Sequence, residues 1–195
     1  MALSPRHLLL PILLVSLGSL AAQETFPTST TATQDAASYL KPLNKRGVVA
    51  LKTIAGDFAS NEQAAIGKYS GHRITVVGRV ARLSQGQSEN RALVVTLQDA
   101  AASQPAVKGD FLDGAFPQNS EIQISGDGST ATLVTRDGNG NILNQSVYLS
   151  VDQTVAIKGD FKELKVGDIV LTNCKLIPKE RLHELRDALN KKSQS

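Results

Sequence analysis

The chain has 195 residues, 41% of them hydrophobic and 20% charged, with 21 basic against 18 acidic side chains and a single cysteine. A surplus of three positive charges supplies no basic stripe of the kind a nucleic-acid-binding domain carries. One cysteine excludes an intrachain disulfide, so burial alone must hold the core.

In chain order, the first expectation is an export signal. Arg6 and His7 form a short basic region, and Leu8 to Leu20 is an apolar core interrupted by Pro11. Ser19-Leu20-Ala21 places small residues at the two sites a signal peptidase reads. The apolar core is too short for a stable membrane anchor, so cleavage leaves a chain without one. Removing residues 1–21 takes away only Arg6 and leaves a net charge of +2.

Residues 22–40 are polar and threonine-rich, and read as a flexible leader. After Pro42, Val48, Leu51, Ala55 and Phe58 recur at helical spacing, and Ser60 with Gln63 offers a capping box for a second short helix. Residues 41–70 are therefore an N-terminal helical segment. Tyr69-Ser70-Gly71 then turns the chain into β structure.

The first strand, about Arg73–Leu83, is interrupted by Gly78, which predicts a bulge or sharp bend where a sheet curls on itself. Ala92–Leu97 follows as strand two, with Leu93, Val95 and Leu97 on one side. Residues 99–120 read as irregular. Glu121–Ser125 and Thr130–Thr135 read as short strands, and Asp137-Gly138-Asn139-Gly140 as a hairpin turn. Ser146–Asp152 alternates Val147, Leu149 and Val151 with polar residues, as a half-buried strand does. Val155–Phe161 and Asp168–Ile177 complete the β region, joined through Lys165-Val166-Gly167-Asp168. Val107-Lys108-Gly109-Asp110-Phe111 recurs as Ile157-Lys158-Gly159-Asp160-Phe161 and reads as two similar turns. Residues 178–195 give an amphipathic helix with a Leu182, Leu185, Leu189 stripe, and a tail. That stripe either packs on the barrel mouth or pairs with another copy.

Catalytic and metal signatures are missing from the sequence. His72 and His183 have no second ligand at metal spacing. A calcium loop starting at Asp137 would need glycine at its sixth place and a carboxylate at its twelfth, where this chain has Ile142 and Tyr148. No nucleophile elbow or phosphate loop occurs, and Cys174 in its apolar strand reads as a buried thiol. The expectation is a protein that is not an enzyme and uses no metal or cofactor.

Four segments resemble one family. They are Asn61-Glu62, Lys68-Tyr69-Ser70-Gly71, Ile74-Thr75-Val76-Val77-Gly78-Arg79-Val80, and the run from Leu164-Lys165-Val166-Gly167-Asp168 to Leu176. They are similar to the tRNA_anti-like family, oligonucleotide/oligosaccharide-binding (OB) folds found in exported bacterial proteins. The resemblance implies a mostly β fold: a five-stranded OB-like barrel over residues 71–177 with an inserted hairpin region at 99–145. N-terminal helices precede it and a C-terminal helix follows. It implies a ligand across strands two and three, for which Arg79, Tyr148 and Lys158 are the candidate contacts, with Gly78, Gly167 and Cys174 as structural positions.

The leading expectation is an exported binding module, periplasmic or secreted, that recognises a small ligand, an oligosaccharide or an envelope protein. Two other readings stand beside it: a cell-envelope assembly protein that self-associates through the C-terminal helix, and a single-stranded nucleic-acid-binding domain, by family analogy only.

Overall fold

A computed structural model describes residues 40–87, 91–99 and 105–190, all within the compact unit Thr31–Ser195. The expected export signal, nearly all of the leader, and the tail 191–195 lie outside the described residues.

Asn44 sets the entry to the fold. Its side-chain oxygen accepts from the Val48 and Arg46 amides, while its Nδ2 donates to the Val48 carbonyl at 2.6 Å. Gly47, at φ +63°, then turns the chain into β1 (Val48–Ala50), which pairs in parallel with residues 75–77. The expected helix therefore begins later, because the two branched valines satisfy a strand edge instead. Helix α1 (Leu51–Ser60) buries Leu51, Ile54, Ala55 and Phe58. Helix α2 (Glu62–Tyr69) is capped by Asn61, whose side chain accepts from the Ala64 amide at 3.0 Å. Ser60 is the last residue of α1 and donates to the Asp57 carbonyl, so the expected Ser60 cap is displaced by one residue. The extended backbone of Asn61 ends one helix and starts the next.

Five strands close a barrel: β2 (Arg73–Gln85), β3 (Arg91–Leu97), β4 (Val107–Leu112), β8 (Thr154–Lys165) and β9 (Asp168–Leu176). Their order around the barrel is β2-β3-β4-β9-β8, with β8 pairing back onto β2. Only the β4–β9 contact is parallel among these five pairings. This is the OB-like fold expected from the sequence. Strand β2 makes closure possible by serving two partners: Arg73–Arg79 pairs with β8 and Val80–Gln85 with β3.

The irregularity in β2 falls between Val80 and Arg82, whereas the β8 ladder runs straight through Gly78. Gly78 is needed for a different reason. A Cβ there would stand 3.0 Å from two Leu51 side-chain carbons and 3.4 Å from Leu97 Cδ1, so glycine lets α1 pack against the strand. The barrel interior is apolar throughout, with Ile74, Val76, Leu93, Val95, Leu97, Phe111, Ile157 and Leu171 all buried. Phe58 of α1 stacks on Tyr69 of α2 and on Phe161 of β8, each at 5.8 Å, tying both helices to that core. The Tyr69 hydroxyl donates to Asp57 Oδ2 at 2.6 Å, and Lys68 Nζ meets the same oxygen at 2.5 Å. Burial, then Asp57, pushes the Tyr69 pKa well up.

The repeated Lys-Gly-Asp-Phe segments are strands rather than turns. One is the centre of β4 and the other of β8, the two strands that flank β9. A bulge in β9, with Asn173 at φ +52°, turns Cys174 inward between them. The Cys174 sulfur lies 3.2 Å from where a Gly109 Cβ would be and 2.7 Å from that of Gly159. Each repeat supplies the glycine that makes room for one thiol. Burial pushes that thiol up to about 12.

Between β4 and β8 lies a separate antiparallel meander of β5 (Ser120–Ile124), β6 (Thr130–Arg136) and β7 (Ile142–Ser150). Ile122, Ala131 and Leu149 join the barrel core. Two boundaries differ from expectation. The span 99–145 contains the barrel strand β4, hidden in the sequence because its outward residues are polar and its inward centre is glycine. The segment Ser146–Asp152, expected in the barrel, contributes to β7 instead. A bulge leaves Tyr148 without a partner on β6, so the expected alternation fails: Leu149 is buried but Val147 is 66% exposed. At the β6–β7 turn, the Asp137 carboxylate accepts from the Asn139 and Asn141 amides and from Asn141 Nδ2. The oxygen-rich run is thus a self-bonded hairpin.

At the β8–β9 turn, Val166 at φ +51° and Gly167 at φ +79° form a two-residue loop of the type that matches strand twist. After β9, a short 3-10 turn leads into α3 (Leu182–Asn190). Its leucine stripe faces the outer wall of the barrel rather than the expected mouth, and Leu182, Leu185 and Leu189 pack with Ile177 against Val48, Val77 and Ala156. The surface expected for self-association is therefore turned to the barrel.

Candidate ligand-binding groove

Strand alternation that fills the barrel also decides what faces outward. In β2, Leu83 points in while Arg82 and Ser84 flank it; in β3, Val94 and Thr96 alternate with Leu93, Val95 and Leu97. In β4, Lys108 and Asp110 stand on the outer side of Gly109. These side chains, with Val170 of β9 and the end of β8 (Lys162, Glu163, Lys165), line an open groove of about 360 Å³. Gln85 and Gln87 border it where β2 runs out. The groove lies on the outer face of strands two and three of the barrel, β3 and β4, with both neighbours contributing.

Its electrostatics are mixed. Lys108 Nζ is 2.5 Å from Asp168 Oδ2, and Lys162 Nζ lies 3.7 Å from Glu163 Oε1. Asp110 is 4% exposed, while Arg82 and Lys165 are exposed. Two other hollows, of about 220 and 450 Å³, border residues 40–44 and Lys68. They are walled largely by the N-terminal segment and helices, whereas the groove collects polar side chains from four barrel strands.

The three candidate contacts from the sequence do not converge. Arg79 Nη2 donates to Asp152 Oδ1 at 2.6 Å, and this exposed pair borders a separate hollow with Gln98 and Asp99. Lys158 projects from β8 opposite Thr75 and Lys175, outside the groove lining. Tyr148 is half-buried in the meander, edge-on to Phe116 at 5.3 Å, and burial pushes its hydroxyl up to about 12. Gly167 sits in the β8–β9 turn, and Cys174 is buried between Gly109 and Gly159. The groove residues do carry a signal in the sequence: every second residue of Arg82–Gln85, Val94–Leu97 and Lys108–Phe111 belongs outside.

The family model for tRNA_anti-like proteins matches residues 1–176. The chain belongs to the tRNA_anti-like family. Among solved structures, it is similar to a "putative nucleic acid-binding lipoprotein" from Klebsiella pneumoniae subsp. pneumoniae MGH 78578. The identity is 15%, 74% of this chain and 97% of that chain are covered, and the TM-score is 0.43. No curated protein matches. In this tRNA_anti-like protein, no group of three or more His, Cys, Asp or Glu among the described residues is placed to hold a metal ion. No helix among them is long and apolar enough to cross a membrane.

Proposed function

We propose that the protein is an exported, non-catalytic binding module whose ligand lies in the groove across β2, β3, β4, β9 and the end of β8. One observation carries the reading. The barrel face that OB folds use for recognition is left uncovered by both the meander and α3, and β2, β3, β4 and β8 aim polar side chains into it. Family membership and the sequence features of an export signal support the same reading, with a periplasmic or secreted location. The N-terminal signal is then cleaved after Ala21.

Amide chemical-shift mapping tests the site. A panel of soluble oligosaccharides, peptides and oligonucleotides is titrated into labelled protein. At least one class is expected to shift Val94, Thr96, Lys108 and Val170 together. Shifts confined to other surfaces, or none with any class, overturn the proposal. Cell fractionation with N-terminal sequencing tests export: a mature chain beginning at Ala22 outside the cytoplasm is expected, and an intact Met1 chain inside refutes it.

A further inference from the structure

Arg82, Lys108, Lys162 and Lys165 give the groove four cations from three strands, against the two acids Asp110 and Glu163. No aromatic side chain lines it among the described residues. The rings nearest the barrel are occupied in packing, Phe58 with Tyr69 and Phe161, and Phe116 with Phe111 and Tyr148. Single-stranded nucleic acid on an OB surface depends on stacking worth about 1–3 kcal/mol per base. That contribution is missing here.

Sugar hydroxyls have different needs. Each both donates and accepts, so a carbohydrate site requires acceptors beside its donors. Glu163, Gln85, Gln87, Ser84 and Thr96 provide them along the same groove. We infer, building on the binding reading above, that the groove takes an acidic oligosaccharide, a sugar chain bearing carboxylates. Arg82, Lys162 and Lys165 meet the carboxylates, and the carboxylate, amide and hydroxyl side chains meet the sugar hydroxyls.

The test is titration of the purified full chain with an oligogalacturonate, the neutral maltohexaose and an oligothymidylate, each followed by amide shifts and calorimetry. The oligogalacturonate is expected to bind in the groove, at least tenfold tighter than maltohexaose, with affinity that falls as salt is added. The Lys162→Glu, Lys165→Glu double variant is expected to lose at least tenfold in affinity with its melting curve retained. Should that variant misfold, Lys162→Gln with Lys165→Gln removes the charges without reversing them. The pair Lys158→Glu and Lys175→Glu makes the same change in net charge outside the groove and is expected to leave affinity within twofold. Equal binding of maltohexaose, or equal loss in the Lys158/Lys175 variant, overturns the inference. Groove binding of oligothymidylate in preference to the acidic sugar also overturns it, yet leaves the binding-module reading standing. That reading falls only with the wider panel described above.

Discussion

Replacing Gly159 with alanine tests how β9 is held. The new methyl carbon would stand 2.7 Å from Cys174 Sγ, 3.0 Å from the Thr172 carbonyl oxygen and 3.2 Å from Leu171 Cβ. Two of these three neighbours are backbone or its attached carbon and cannot rotate away. Overpacking of this kind costs about 1–3 kcal/mol. The upper part of that range applies, because the strand must shift rather than a side chain. Restricting the unfolded chain returns about 0.4–1 kcal/mol, for a net loss of about 2 kcal/mol. Urea denaturation of Gly159→Ala, Cys174→Ala and the double variant measures this directly. Cys174→Ala alone loses the buried sulfur and is destabilising. In the double variant the new methyl enters space the sulfur vacates, so the two losses should fall short of additivity by about 1–2 kcal/mol. A neutral Gly159→Ala, or strict additivity in the double variant, would refute the packing account.

Four further outcomes are expected. Gly67 lies within α2, and beyond its chain neighbours and its own helix backbone a methyl group added there would meet nothing within 4 Å. It should accept alanine with a gain of about 0.5–1 kcal/mol in a thermal or urea melt. Val166→Asn should stabilise by about 1 kcal/mol, since a β-branched residue at φ +51° carries left-handed strain that asparagine tolerates; an unchanged melt would contradict that. The Cys174 thiol, buried and raised to about 12, should resist alkylation at pH 8 until the protein unfolds, which mass spectrometry across a urea series reads out. The Asp127 carboxylate accepts from the Ser125 hydroxyl and from the Ser129 amide and hydroxyl, and its pKa is lowered to about 2. Its folded value is depressed, so its contribution is present above about pH 4 and disappears as the pH falls toward 2. A carbon-detected NMR titration should show this value rise in Ser125→Ala.

What can be read from the sequence follows how much of each signal is local. The runs Ile74–Val80, Leu93–Leu97 and Val155–Phe161 alternate or stay apolar over many residues, and they appear as barrel strands. Strand β4 is hidden because Lys108-Gly109-Asp110 has the composition of a turn, and only the sulfur of a residue 65 positions later explains its glycine. Strict alternation puts Tyr148 outward, but a single unpaired residue reverses the faces beyond it. Arg79 and Lys158 are exposed as outward strand positions should be, yet which outward positions share a groove depends on barrel closure, a property of five strands at once. The leucine stripe of α3 is legible as a stripe, while its partner surface of Val48, Val77 and Ala156 is assembled from three separate strands.

The seam of the barrel has a consequence for the order of events during synthesis. Both contacts that seal it, β2 with β8 and β4 with β9, need residues beyond Val155, and Arg73 must find Asp160 across more than eighty intervening positions. A nascent chain cut short of that hairpin is an open ribbon with two raw edges and an unsealed core. Late closure of this kind is slow, and it would keep the polypeptide threadable until its final strand has left the ribosome.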